Sequence, residues 1–179
     1  MSPILGIYAS QISGHLVTNN YSSIQTVTVG SGGASSITFS SIPSTYTHLQ
    51  VRISSAAASA NWATIAFNGD TGSNYSSHFL IGSGSSASTY NQTSATPVLS
   101  LYSGSGSVFG AAVIDILDYT NTNKYKTTRM LDGYDANGSG QINFSSALWQ
   151  STTAISSITF TTNSPNFSQY SSFALYGVR

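Results

Sequence analysis

The chain has 179 residues, enough for one domain that buries a core without covalent staples. Charged residues make up only 6 %, five Lys and Arg against five Asp and no Glu, and cysteine is absent. This excludes a disulfide framework, thiolate chemistry and the clustered basic surface that a nucleic-acid partner demands.

Ser, Thr, Gly, Asn and Tyr take the place of charge, so the surface is kept wet by hydroxyls and amides. Apolar residues reach 40 % and aromatics 12 %, which makes disorder the poorer reading. A chain this neutral lacks charge repulsion against its own copies, and a homo-oligomer is expected. No apolar run approaches the roughly 20 residues of a membrane span, so no membrane partner is expected. The N-terminus has no basic region before its short apolar stretch, which points to synthesis in a cytoplasm rather than secretion.

Residues 1–20 differ in texture from the rest. Ile4, Tyr8, Ile12 and Leu16 recur at a four-residue spacing, while Pro3, Gly6 and Gly14 oppose a helix. One reading is a loosely ordered terminus. The other is a docking segment whose Ile4, Leu5, Ile7, Tyr8, Ile12 and Leu16 make assembly contacts on a neighbouring protein.

From residue 21 to 179 the pattern is strand, turn, strand, and this span is expected to form one β-sandwich domain. Ile24–Val29 alternates until the glycine-rich turn at 30–33; Ile37 and Phe39 follow, then Leu49, Val51 and Ile53 alternate with Gln50 and Arg52. Trp62–Phe67 ends at the Asn68-Gly69 turn signal. Further strands are expected at Tyr75–Ile81, Pro97–Tyr102, Val108–Leu117, Tyr125–Leu131, Gln141–Trp149, Ile155–Thr161 and Ser168–Val178. Ser/Gly clusters at 82–88 and 103–107 read as loops. Asp115 and Asp118 fall on opposite faces by parity, so one of them should cap a strand end or pair with a basic residue. About 8–11 short strands without a long helix indicate an all-β, antiparallel sandwich or barrel behind an extended N-terminal segment.

Little here resembles an active site. His15, His48 and His78 are far apart in sequence, with no metal-pair spacing. No Gly-x-Ser-x-Gly elbow joins a strand to a helix, and a carboxylate pair would have to come from five Asp. A non-enzymatic protein without cofactor or metal is expected. Asp135-Ala-Asn-Gly-Ser-Gly-Gln-Ile142 matches the first half of a calcium loop, but position 12 is Ser146 where Glu is required. A Gly/Asn hairpin turn is the plainer reading; a weak calcium site completed by Asp132 is the other. The segment Asn68-Gly-Asp-Thr-Gly-Ser-Asn-Tyr75 is either a long hairpin corner or a glycan-contacting loop, with Asp70, Asn74, Tyr75 and His78 as ligand contacts. Eleven tyrosines suit interfaces as well as strands.

Five stretches resemble a group of small proteins encoded by tailed bacteriophages. They are Ser2-Pro-Ile-Leu-Gly-Ile-Tyr-Ala-Ser-Gln-Ile-Ser-Gly-His15, Ile37-Thr-Phe-Ser-Ser-Ile-Pro-Ser-Thr-Tyr-Thr-His-Leu49 and Phe67-Asn-Gly-Asp-Thr-Gly-Ser-Asn-Tyr75. The likeness continues in Asp115-Ile-Leu-Asp-Tyr-Thr-Asn-Thr-Asn-Lys124 and Tyr170-Ser-Ser-Phe-Ala-Leu-Tyr-Gly177. The resemblance implies a jelly-roll-like sandwich and a place in the virion, reached after synthesis in the host bacterial cytoplasm. A capsid decoration or cement protein, attached through its N-terminal segment to other virion proteins and trimeric, is the leading expectation. A tail or head fibre that recognises a host surface glycan is the alternative. The absence of a coiled-coil or shaft repeat favours decoration.

Overall fold

The computed structural model describes residues 20–59, 61–97, 101–162 and 166–179. All regular structure among them is β. The strands pair as the two arms of one long hairpin rolled up on itself. β1 (Tyr21–Thr28) pairs with β12 (Ser172–Val178), and β2 (Ser36–Phe39) pairs with β11 (Ile158–Thr162). β3 (His48–Ala57) pairs with β8 (Gly110–Leu117), and β4 (Asn61–Phe67) pairs with β7 (Leu101–Ser105). All four pairings are antiparallel. Successive turns of the roll place β1, β12, β3 and β8 side by side in one sheet, and β2, β11, β4 and β7 in the other. This is the jelly-roll arrangement of a double-sheet sandwich.

Two hairpins are inserted into the roll. β5 (Tyr75–Gly82) and β6 (Ala87–Ala95) interrupt the path from β4 to β7, while β9 (Lys126–Asp135) and β10 (Gly140–Trp149) follow β8. They pair with each other through β10 and β5, and β9 pairs with β8. The first sheet therefore runs β1-β12-β3-β8-β9-β10-β5-β6. A two-residue parallel contact, Ala56↔Gly104 and Ala57↔Ser105, joins the sheets at one corner. Gly104 is obligatory there, because a Cβ would lie 2.0 Å from the Val108 carbonyl oxygen.

Among the described residues there are twelve strands, against the expected 8–11. The one without any counterpart in the sequence reading is β6, whose residues carry no apolar alternation. β7 covers 101–105 where a loop was expected from 103, and the expected strand from Pro97 lies partly outside the described residues. Ser103 and Gly104 are small enough to let that strand run against β3.

Between the sheets lies a layer of phenylalanines. Phe39 meets Phe160 edge-on at 6.3 Å, Phe160 meets Phe173 at 5.4 Å, and Phe173 meets Phe167 at 4.9 Å. Leu49, Val51, Ile65, Ile158 and Leu175 fill the remaining space, all fully buried. The alternation in β3 and β12 places these residues inward and their neighbours outward. A second anchor is polar. Lys126 is fully buried, and its Nζ donates to the carbonyls of Asn121 (2.6 Å), Thr152 (3.0 Å) and Lys124 (3.1 Å). It thereby ties the 118–125 turn and the 150–157 segment to the start of β9. Replacing Lys126 by Met keeps the stem but removes a charged donor from three acceptors. The expected loss is about 2 kcal/mol, read as a lower midpoint of chemical denaturation.

Candidate functional site

The sequence-predicted contacts separate in space. Ile4, Leu5, Ile7, Tyr8, Ile12 and Leu16 lie outside the described residues, as does His15. Asp70 and Asn74 belong to a closed corner between β4 and β5. The indole Nε1 of Trp149 donates to Asp70 Oδ2 at 2.7 Å, Gly72 N–H donates to Oδ1 at 2.9 Å, and Asn74 Nδ2 donates to both oxygens. The Trp149 bond and the Gly72 amide hold the Asp70 carboxyl below its usual range. Tyr75 is a core residue, 2 % exposed; its hydroxyl donates to the Asp70 carbonyl and accepts from Phe67 N–H. Only His78 of the four stands on an open sheet surface. The corner's polar atoms are engaged with one another, which is the hairpin-corner arrangement.

Asp135–Ile142 forms the β9–β10 hairpin, with Asp135 Oδ1 accepting from Asn137 N–H at 2.8 Å and Asn137 and Gly138 at positive φ. Asp118 closes β8, bonded to Lys124 and facing His48 Nδ1 at 3.4 Å, whereas Asp115 Oδ1 accepts from Gln50 Nε2. Among the described residues no three His or Asp side chains are grouped as a metal site.

What the structure does assemble is a face. The solvent side of the eight-stranded sheet carries three rows of directly opposed residues. The central row runs Arg52, Val113, Leu131, Phe144, Leu80, Thr89 across six strands. Its four apolar members are 40, 51, 48 and 54 % exposed. On one side lies the polar row Gln50, Asp115, Arg129, Ser146, His78, Asn91. On the other lie Ala111, Gly133, Ile142, Gly82 and Ala87, small residues that leave a trough beside the 58 % exposed Ile142. Phe109, Val113, Leu131 and Ile142 line this trough, about 770 Å³ in volume. A second hollow of about 520 Å³ is lined by Leu80 and Phe144 with His78, Thr89, Asn91 and Ser146. At the opposite end the guanidinium of Arg52 rests over the rings of Tyr176 and Tyr21, and its Nε donates to Gln50. Monomeric proteins rarely expose an apolar stripe this continuous unless it meets something.

Sequence reasoning missed this face for a definite reason. β8, β9 and β10 carry large apolar residues at both parities, as in Val113-Ile-Asp-Ile-Leu117, so alternation alone does not say which set is inside. The polar residues of β9 and β10 held the answer. Thr128, Asp132, Asn143 and Ser145 face inward and are buried, which turns Leu131 and Phe144 outward. Asp132, 3 % exposed, accepts from Tyr102 N–H and Asn143 Nδ2 through Oδ2, both at 2.9 Å, while its buried Oδ1 accepts no bond from the protein. Burial pushes its carboxyl up to about 6, against the two donors, which pull it down.

Among the described residues no helix is long and apolar enough to cross a membrane. No family model, curated protein or solved structure matches this chain. Among the described residues the fold and the face together define a jelly-roll domain with an open, partly apolar sheet surface.

The raised Asp132 carboxyl makes a pH prediction. The folded state binds this proton more tightly than the unfolded chain, whose carboxyl titrates at its ordinary value of 3.8. Stability from this group is complete below pH 4 and is lost as pH rises through about 6. The window's full depth is on the order of 3 kcal/mol. Asp132→Asn should abolish this fall, so the stability difference between variant and parent should shift in the variant's favour from pH 4 to 7. A difference that stays constant across that range would show that Asp132 is not the group responsible.

Proposed function

We propose that this chain is a non-enzymatic structural protein of a tailed-phage particle, a decoration or cement protein that works by surface contact. The apolar row Val113, Leu131, Phe144, Leu80 on the solvent side of the long sheet carries the proposal. Burying such a row against another virion protein removes apolar area from water with little desolvation of charge, because only Arg52, Asp115 and Arg129 in the central and polar rows are ionic. The fold is consistent with this role, since jelly rolls serve as viral capsid domains and as lectins. The resemblance to small phage-encoded proteins supports a virion location, and the apolar N-terminal segment would supply a second grip. Localising the protein on particles by labelling separates head from tail. Leu131→Asp combined with Phe144→Asp should leave the circular dichroism spectrum unchanged and prevent incorporation into particles. Incorporation of this variant at full occupancy would refute the contact face.

A second reading is favoured by the smaller hollow, where His78, Thr89, Asn91 and Ser146 offer donors and acceptors beside the Phe144 ring. A ring flanked by amide and hydroxyl groups suits a sugar, whose faces are apolar and whose edges are polar. A host-recognising fibre tip would bind host polysaccharide saturably and lose that binding in His78→Ala combined with Asn91→Ala. Absence of saturable binding across a host panel leaves decoration as the role.

A further inference from the structure

Among the described residues β6 ends the long sheet and pairs with β5 alone. Sheet edges in soluble proteins are commonly blunted by Lys, by Pro or by an inward charge. The strand Ala87-Ser-Thr-Tyr-Asn-Gln-Thr-Ser-Ala95 has none of these. Every side chain in it is exposed except Gln92 and Ala95, which are half-buried. Tyr90 and Gln92 cover the buried Phe79 and Ser77, but this accounts only for the middle of one of the longer strands. Its order of residues supplies a further reason. Read outward from Asn91, the strand is almost identical in both directions: Thr89 matches Thr93, Ser88 matches Ser94 and Ala87 matches Ala95. The sole mismatch is Tyr90 against Gln92.

We propose that β6 is a homotypic docking edge, at which two copies of this chain pair β6 to β6, antiparallel, about a two-fold axis at Asn91. Two antiparallel copies related in this way have their axis normal to the sheet, so each side chain stays on its own face. The register must then centre on a residue that faces itself. With Asn91 there, Thr89 opposes Thr93 of the second copy on both sides of the axis, and Thr–Thr is a favoured cross-strand pair. The Asn91 amide carries both donor and acceptor and can bond its own image. No ionic side chain lies on the strand, so nothing in it repels the copy. Such an isologous contact closes on itself and does not propagate into fibres.

The ladder that forms is short. The register with β5 is regular from Ala87 to Gln92, whereas Thr93 and Ser94 fall in the irregularity opposite Ser76, with Ser94 at φ 48°, so regular pairing about the axis is confined to Tyr90–Gln92 and the Thr89–Thr93 pairs lie at its ends. The contact is accordingly small, in the class of transient interfaces, and its occupancy follows concentration. This inference is independent of the virion reading, since it concerns the free protein in solution.

The test uses the full chain with Asn91→Lys and Asn91→Asp in parallel, all checked for native circular dichroism. Sedimentation of the unaltered chain should move from one chain mass towards two as concentration rises into the millimolar range. Each variant alone should stay at one chain mass, because like charges meet at the axis. An equimolar mixture of the two, at low salt, should recover the dimer, because opposite charges then meet. Hydrogen exchange of the unaltered chain should show β6 amides gaining protection with concentration. The proposal is overturned if the unaltered chain stays at one mass or proceeds to three. A lysine variant that dimerises like its parent overturns it too, as does a mixture that stays monomeric.

Discussion

The layer of Phe39, Phe160, Phe167 and Phe173 is the constraint on which the rest of the structure depends. These rings come from three strands, the paired β2 and β11 and the separate β12, and from the bridge residue that follows β11. They meet only when β2 and β11 face β12 across the sandwich. The layer thus links sequence-distant arms, and the nested pairing of β1 with β12, β2 with β11, β3 with β8 and β4 with β7 satisfies the backbone of each arm at the same time. Area burial and hydrogen bonding select the same topology. That agreement is what gives a chain with no disulfide a single fold.

The two inserted hairpins obey a looser rule. They widen one sheet to eight strands while the other keeps four, and their inner side is partly polar. Asp132, Asn143, Ser145 and Thr128 occupy positions that would hold aliphatic residues in a fully dry core. Several of their polar atoms lack a protein partner, and a carboxyl among them costs more still once ionised. Placing those residues inward is a cost to stability that leaves Leu131, Phe144, Val113 and Leu80 on the outside. Surfaces that forgo stability in this way are commonly the ones a protein uses.

Ionic side chains are few on the outer face, Arg52, Asp115 and Arg129 in its central and polar rows, and none lies on β6. Apolar side chains lose little on desolvation, and a hydroxyl-rich edge offers backbone bonds with no electrostatic veto on a like partner. The same property makes both surfaces sensitive to a single introduced charge. An apolar face and a self-complementary edge on one domain would let it hold another protein and its own copy at once.

Much was legible in the residues themselves. Strand type, turn positions such as Asn68-Gly69 and the inward set of β3 follow from alternation and turn chemistry alone, because local sterics decide them. The buried Tyr75 did not follow, and the Asp70 corner was one of two readings, since a polar loop and a hydrogen-bonded plug have the same composition. β6 was invisible because an edge strand whose side chains are mostly exposed needs no apolar alternation. Which face of β9 and β10 turns inward also required the tertiary structure: parity divides a strand into two sets, and only the strands packed above it choose between them.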